Sequence, residues 1–159
     1  MIFHIFGGQC SGKTSVVNQL NKDEFVHWDI LEDFYIPEGI ITNNKMDWDE
    51  WRAKEYLVED RLKEFFEANK DKHIIVESSG LNKRINRTIK SLGTIIPVNM
   101  GVPNNKQSVE RAKSSGYNPI QVSQFNKSAR PKFAHISKYL PSVLTIEEAV
   151  KFINQKIEE

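Results

Sequence analysis

The sequence predicts an α/β fold with about five parallel strands flanked by helices. Short apolar segments alternate along the chain with longer segments whose apolar residues recur at helical spacing. No internal repeat or low-complexity tract interrupts this alternation. Successive strand–helix–strand units form right-handed crossovers, which place helices on both faces of a parallel sheet and ligands at the carboxyl ends of its strands.

Five segments have the apolar character of strands. They cover residues 2–6, 25–30, 73–76, 95–100 and 142–144. The fourth segment contains Pro97, which removes one backbone donor and restricts the place that this strand can take in a sheet.

Helices are predicted between and after these strands. They comprise a helix carrying Val16, Val17 and Leu20, then residues 47–69, 81–92 and 105–114, and a C-terminal helix that follows Thr145. Capping boxes of Asp47 with Glu50 and of Thr145 with Glu148 mark two of the starts, and Gly93 marks one of the ends.

Length and composition predict one cytoplasmic domain over residues 1–159. The 22 Lys and Arg nearly balance the 21 Asp and Glu, so net charge favours neither a nucleic-acid-coating nor an acidic protein. No apolar run reaches the length of a membrane span, and we expect no signal peptide, because the sequence leads directly into the first strand. The single cysteine, Cys10, excludes an internal disulfide and fits a reducing compartment. We interpret it as an ordinary small loop residue rather than an acidified thiol.

Residues 7–14 read GGQCSGKT and match the phosphate-binding pattern G-x-x-x-x-G-K-[ST], the Walker A motif. The motif lies between an apolar strand and a helix, which is the context it requires. Its glycines can take positive φ, so that consecutive N–H groups point at a bound anion. Lys13 is expected to reach the β- and γ-phosphates of ATP, and the Thr14 hydroxyl to ligate Mg²⁺. The residues expected to bind the nucleotide are Gly7, Gly8, Gln9, Cys10, Ser11, Gly12, Lys13 and Thr14. The motif therefore predicts a three-layer P-loop NTPase fold.

Charge is distributed unevenly along the chain. Residues 23–60 contain 12 acids and three basic residues, whereas residues 101–132, hereafter the basic segment, contain six basic residues and one acid. The basic segment has weak hydrophobic periodicity, which predicts a mobile lid rather than part of the core. Cations on such a lid would stabilise a transferring phosphoryl group.

The chain resembles the P-loop nucleoside and nucleotide kinases, which include the uridine, nicotinamide riboside, gluconate and shikimate kinases and the kinase domain of polynucleotide kinase. Residues 32–38, EDFYIPE, are similar to the D-D-F-[FY]-x-P-E stretch of the nicotinamide riboside kinases. That match implies that Glu32 is the catalytic carboxylate. The spacing found in polynucleotide kinase points instead to Asp33, and other relatives place the acid at the strand end, at Asp29. An attacking hydroxyl needs an acceptor for its proton, and any of the three carboxylates meets that need.

Further site residues follow from the same resemblance and from charge. Glu77 ends the third strand where relatives carry a degenerate Walker B acid, which implies a role near Mg²⁺ or a substrate hydroxyl. Relatives take lid arginines from the region of the basic segment, which makes Arg111 the first candidate for bracing the transferring phosphate and Arg130 the second. The candidates for binding the phosphate acceptor are Phe34, Tyr35, Glu77, Arg84 and Arg87.

These features together predict an ATP- and Mg²⁺-dependent kinase that phosphorylates a hydroxyl of a small metabolite, a nucleoside or nucleotide first of all. One alternative places the acceptor hydroxyl on DNA or RNA, with the basic segment gripping the strand. Another is a non-catalytic nucleotide-binding switch. A GTPase is disfavoured, because Asn82-Lys83 is followed by Arg84-Ile85 and completes no N-K-x-D motif. No association with a membrane is expected, and the oligomeric state is left open.

Overall fold

A computed structural model describes all 159 residues of the chain. The strands are β1 (Ile2–Phe6), β2 (Phe25–Asp29), β3 (Ile41–Thr42), β4 (Lys45–Met46), β5 (His73–Ser78) and β6 (Ile95–Asn99). The α-helices are α1 (Lys13–Asn18), α2 (Trp48–Lys54), α3 (Leu57–Ala68), α4 (Lys83–Ser91), α5 (Asn105–Ser115), α6 (Pro119–Ile136) and α7 (Ile146–Glu158). A π-helical turn covers Leu31–Tyr35, and a 3-10 turn covers Ser137–Tyr139.

Four strands form a parallel sheet in the order β2-β5-β1-β6. Strands β2 and β5 pair in a register that sets Phe25 opposite His73 and Asp29 opposite Glu77. The predicted α/β class is therefore confirmed, with four strands in the sheet rather than about five. Strand β6 forms despite Pro97, and it lies at one end of the strand order, where a missing N–H is tolerated.

The expected fifth strand is wrong, because residues 142–144 are not part of the sheet. The Leu144 N–H does donate to the Asn99 carbonyl, at 2.9 Å. However, the segment lies between Pro141 and Thr145, the N-cap residue of α7, and Val143 in it is exposed. Neither apolar residue of this short segment is buried, since Leu144 is also only half-buried.

The long helix predicted over residues 47–69 is two helices, α2 and α3. Asp47 accepts hydrogen bonds from the N–H groups of Asp49 and Glu50, as its place at the predicted N-cap requires. The break lies at Glu55 and Tyr56, where the Val58 N–H donates to the Glu55 carbonyl three residues back. This tighter turn interrupts the α-helical ladder.

The hairpin of β3 and β4 was not predicted. Its two central residues, Asn43 and Asn44, have φ angles of 52° and 60°. Positive φ at both central positions is the geometry of a tight two-residue hairpin turn, and asparagine tolerates it better than most residues.

The chain divides into two compact units. The first comprises Met1–His4, Asn21–Ser78 and Asn82–Ile96. Its core joins β2 and β5 with α2, α3 and α4. The fully or nearly fully buried members are Trp28, Ile30, Phe34, Ile40, Trp51, Val58, Leu62, Phe66, Ile74, Val76, Ile85 and Ile89.

The second unit comprises Ile5–Leu20, Ser79–Leu81 and Pro97–Glu159. Here Phe6 stacks on Phe133 of α6 with the ring centroids 6.4 Å apart, and Ala129 packs beside them. The basic segment is thus largely helical and supplies core residues, so the expectation that it stays out of the core is wrong. Its periodicity is weak because buried Ser108 and Asn126 occupy core-facing positions beside apolar residues. No helix of the chain is both long and apolar enough to cross a membrane.

Candidate active site

Residues 7–14, hereafter the phosphate loop, connect β1 to α1. Gly12 has a φ of 101°, which a residue with a side chain rarely adopts. Gly7 and Gly8 do not have positive φ, contrary to expectation. They are needed because other groups approach closely: a Cβ on Gly7 would lie 2.7 Å from the Gly101 carbonyl oxygen, and one on Gly8 would lie 2.6 Å from Asn126 Oδ1.

Three consecutive amides of the phosphate loop have no acceptor. The Gly8 N–H donates to the Gly101 carbonyl at 2.8 Å, and the Gln9 N–H donates to Asn126 Oδ1 at 2.8 Å. The N–H groups of Cys10, Ser11 and Gly12 donate to nothing. The Ser11 hydroxyl is also buried without a partner. Because unsatisfied donors near a buried site are costly, this loop fits an anion that accepts from all of them.

Lys13 and Thr14 begin α1 at the end of the phosphate loop. The Lys13 ammonium donates to the carbonyl oxygens of Gly7 and Gly8 at 2.9 and 2.8 Å, so its charge lies against the loop. Thr14 is exposed in the first turn of the helix. Both residues therefore lie in the first turn of α1, next to the phosphate loop.

Of the two arginines assigned to a lid, only Arg111 contacts the phosphate loop. Its guanidinium, on α5, donates to the Cys10 carbonyl at 3.0 Å. Arg130 instead donates to the Pro103 carbonyl at 2.7 Å and to Asn105 Oδ1 at 2.6 Å, which ties α6 to the start of α5. Since its donors already serve this structural contact, Arg130 is the weaker candidate for a phosphate ligand.

Burial raises the pKa of the Cys10 thiol, although the charges of Lys13 and Arg111 act in the opposite direction. The thiol is therefore less acidic than an exposed one, which agrees with its interpretation as an ordinary loop residue.

The three candidate base residues occupy different environments at the end of β2. Asp29 is half-buried, and its carboxylate accepts from the Leu31 N–H at 2.9 Å. The Asp33 carboxylate accepts from the Asp29 N–H at 2.8 Å. Glu32 is exposed in the π-helical turn. The carboxylates of Asp29 and Asp33 thus hydrogen-bond to backbone N–H groups in and beside the turn, whereas Glu32 makes no such contact.

Asp29 also belongs to a group with His27 and Glu77, hereafter the carboxylate–histidine group. One ligand atom from each side chain lies within 4.8 Å of the other two. Glu77 is buried, with 4% of its surface exposed, and accepts from His27 Nε2 at 2.8 Å. Desolvation lowers the pKa of His27, but the hydrogen bond and charge of Glu77, with Asp29 and Asp33, outweigh it and raise that pKa.

Sequence reasoning missed His27. The signal was present, because His27 and Asp29 are two residues apart on one strand and therefore face the same side of it. It also missed Asn126, whose buried side-chain amide contacts Gln9 of the phosphate loop, 117 residues away in the sequence. No short-range pattern in the sequence connects positions so far apart.

Phe34 does not have the role expected of it. Its side chain is fully buried in the core of the first unit and meets Trp51 edge-on at 6.5 Å. A ring enclosed in this way has no open face for a base, so we remove it from the candidate substrate contacts. Tyr35 is half-buried and also meets Trp51 edge-on, and desolvation raises its pKa to about 12.

Arg84 and Arg87, the candidates for a substrate phosphate, differ in their contacts. Arg84 forms ion pairs with Glu55 at 3.2 Å and Glu59 at 3.8 Å, so its charge is already compensated within the first unit. Arg87 is exposed on the same helix, α4. Only Arg87 therefore remains a candidate for an incoming anion.

The parallel sheet, with the Walker A sequence between β1 and α1, gives this chain a P-loop α/β fold. Similar solved structures include deoxyadenosine kinase from M. mycoides with bound dATP, with 15% identity, a TM-score of 0.57 and coverage of 100% of both chains. The same enzyme with the products dCMP and a flexible dCDP gives 15% identity, a TM-score of 0.56 and 99% coverage of both chains. Shikimate kinase from Aquifex aeolicus gives 21% identity, a TM-score of 0.49 and coverage of 99% of this chain and 96% of the other.

No protein-family model and no curated protein matches the chain. The likeness to deoxyadenosine kinase extends over the full length and shows that this chain has the fold of a P-loop kinase. The resemblance indicated by the sequence is thereby confirmed for the fold.

Proposed function

We propose that the protein is an ATP- and Mg²⁺-dependent kinase that transfers the γ-phosphoryl group to a hydroxyl of a nucleoside or nucleotide. The observation that carries this proposal is the phosphate loop, with three consecutive N–H groups without acceptors and the Lys13 ammonium beside them. Amides and an ammonium in this arrangement are suited to the oxygens of a polyphosphate.

The phosphate loop would bind and orient ATP. The amides of Cys10, Ser11 and Gly12 would donate to phosphate oxygens, and the buried Ser11 hydroxyl would gain the partner that it lacks. Lys13 would leave the carbonyls of Gly7 and Gly8 for the β- and γ-phosphates, where its charge offsets the charge that develops during transfer. Arg111, at the Cys10 carbonyl, would add a second cation.

Mg²⁺ fits the oxygen donors that the chain offers. The exposed Thr14 hydroxyl follows the Walker A lysine, as a magnesium ligand does in this motif. Glu77 offers carboxylate oxygens, which are ligands that Mg²⁺ prefers. Bound Mg²⁺ would neutralise phosphate charge and thus make the γ-phosphorus easier to attack.

Asp29 is the residue we favour as proton acceptor. It is half-buried and lies in the carboxylate–histidine group, where His27 carries a raised pKa. Asp33 is the second candidate, since its carboxylate holds the Asp29 N–H. Glu32 comes last because it is exposed and makes no contact that would fix its position.

The acceptor class rests on the shared fold, because the similar structures with TM-scores above 0.5 are of an enzyme named deoxyadenosine kinase. Tyr35 and Arg87 are the side chains we propose for contacts to such a substrate. The neutral Tyr35 phenol offers a hydroxyl and an aromatic edge, and Arg87 offers a charge for a nucleotide phosphate.

A transfer assay with γ-labelled ATP and Mg²⁺ tests the proposal across nucleosides, nucleotides, oligonucleotides and sugar acids. Label should appear on a nucleoside or nucleotide with the wild-type protein and be lost with Lys13→Ala. Transfer to oligonucleotides alone would replace the acceptor with a nucleic acid. Tight ATP binding without transfer to any acceptor would favour the nucleotide switch instead.

A further inference from the structure

Asn126 lies in the middle of α6 and is fully buried. Its side-chain amide contacts both backbone polar groups of one residue of the phosphate loop. Asn126 Oδ1 accepts from the Gln9 N–H at 2.8 Å, and Asn126 Nδ2 donates to the Gln9 carbonyl at 2.8 Å. Asn126 Nδ2 also donates to the Ser108 hydroxyl of α5 at 2.9 Å. This third hydrogen bond fixes the orientation of the Asn126 side-chain amide.

The hydrogen bonds of Asn126 to Gln9 set the direction of the Cys10 N–H, which would donate to the phosphate. A peptide group is planar, and its N–H points opposite to its C=O. The Gln9 carbonyl and the Cys10 N–H belong to the same peptide group, so Asn126 fixes the direction of the Cys10 N–H by holding that carbonyl. Arg111 holds the Cys10 carbonyl at 3.0 Å and thereby fixes the Ser11 N–H in the same manner.

The backbone at this point needs such support. Cys10 has a φ of 57°, which is uncommon and strained for a residue with a side chain. Peptide groups held on both sides of Cys10 stabilise that conformation. The close approach of Asn126 also explains Gly8, since a Cβ there would overlap Asn126 Oδ1.

We infer that Asn126 is a positioning residue for phosphate binding: it holds the Gln9 peptide groups so that the amide of Cys10 is directed at the phosphate before ATP arrives. This inference rests on the proposed function in assuming that the loop binds polyphosphate. A loop arranged in advance loses less conformational freedom on binding, so its affinity is higher than that of a loop that must be ordered by the ligand.

The test compares four variants by calorimetric binding of inorganic triphosphate and by thermal unfolding. Asn126→Leu keeps a similar volume and removes both hydrogen bonds to Gln9, and Asn126→Ala removes them with the volume. Ser108→Ala removes the support behind the amide and leaves the Gln9 contacts. Val122→Ala is the matched control, because Val122 is buried in the same helix and its loss opens a core cavity.

Both Asn126 variants should bind triphosphate about tenfold more weakly, or worse, since two backbone hydrogen bonds are lost. In transfer assays their KM for ATP should rise by a similar factor. Ser108→Ala should weaken binding about twofold to threefold. Val122→Ala should lower Tm and leave affinity within about twofold of wild type, since it touches no hydrogen bond of the loop.

Asn126 variants that bind triphosphate as tightly as Val122→Ala would overturn the inference and leave the proposed function standing. If both Asn126 variants fail to fold, Ser108→Ala decides, and unchanged affinity in that variant would overturn the inference. A folded wild-type protein that does not bind triphosphate would overturn the proposed function together with this inference.

Discussion

The phosphate loop and the π-helical turn after β2 differ in how they are held: polar side chains hold the loop, whereas the turn adds a fully buried ring to the hydrogen bonds of Asp29 and Asp33. In the loop, the side chains of Asn126, Arg111 and Lys13 hydrogen-bond to main-chain groups. In the turn, the fully buried ring of Phe34 packs against Trp51, and the neighbouring carboxylates lie outside the core.

This difference predicts that the loop mainly determines phosphate binding, whereas the buried ring of the turn mainly determines the stability of the fold. Polar contacts to backbone are each worth about 1 kcal/mol net, so their loss changes the local geometry of the loop more than the stability of the fold. A buried aromatic ring contributes several times as much through burial and packing. Substitutions in the loop should therefore alter phosphate binding and transfer, whereas substitution of the buried ring in the turn should alter folding.

The largest expected effect is on stability. Phe34→Ala should lower the free energy of unfolding by about 3–5 kcal/mol, because it removes a fully buried ring and leaves a cavity. Urea denaturation followed by circular dichroism measures it. Ile36→Ala, two residues away and 45% exposed, is the control and should change stability by under about 0.5 kcal/mol. Similar losses in both variants would show that Phe34 is not the anchor of the turn.

Lys13→Ala should reduce transfer by at least about 10²–10³-fold, equivalent to about 2.7–4 kcal/mol of transition-state stabilisation. The fold should persist, since the ammonium donates to the Gly7 and Gly8 carbonyls of a loop and lies outside both hydrophobic cores. Turnover and circular dichroism are measured on the same preparation, with Lys22→Ala as the control for loss of one charge. A folded Lys13→Ala protein with near wild-type turnover would remove the phosphate-loop assignment.

Asp29→Asn should lower kcat by about 10²-fold, at the low end for a lost base because a dissociative transfer needs little base assistance. Asp33→Asn should have a smaller effect, through its bond to the Asp29 N–H, and Glu32→Gln should behave as wild type. Steady-state kinetics with a confirmed acceptor measures all three.

Two results would change the assignment of the base. A fall in Mg²⁺ affinity with unchanged kcat at saturating Mg²⁺ would make Asp29 a metal ligand. Wild-type kcat in all three amide variants would leave the proposed mechanism without a proton acceptor.

The smallest expected effect concerns the basic segment. A non-hydrolysable ATP analogue with Mg²⁺ should slow proteolysis of residues 101–132 a few-fold, because Arg111 on α5 would then hold phosphate as well as the Cys10 carbonyl. Mass spectrometry of limited digests locates the cuts. Equal cleavage rates with and without nucleotide would show that the segment does not respond to phosphate.

The phosphate loop could be predicted from the sequence because its chemistry depends on consecutive residues. The strands and helices were also predictable, because their apolar spacing is a pattern of neighbouring residues. The elements predicted close to their observed positions are β1, β2, β5, β6, α4, α5 and α7. The helix break at Glu55 and Tyr56 could not be predicted, since apolar spacing continues across it from Trp51 to Val58.

What the sequence concealed were contacts between distant residues. Asn126 lies 117 residues from Gln9, and as a polar residue in a weakly periodic segment it suggested surface rather than core. Phe34 lies beside two exposed carboxylates, which suggested an accessible ring, yet the π-helical turn directs it inward. In both cases tertiary packing buried a side chain that the neighbouring residues in the sequence indicated to be exposed.

Pro97 has a consequence for how this protein behaves at high concentration. Strand β6 ends the strand order of the sheet, and an end strand can template the addition of a strand from another molecule. Pro97 offers no N–H at the middle of β6, and the Leu144 N–H already occupies the Asn99 carbonyl at its end. A foreign strand would therefore meet an interrupted row of hydrogen-bonding groups along β6, which protects this edge against aggregation by strand addition.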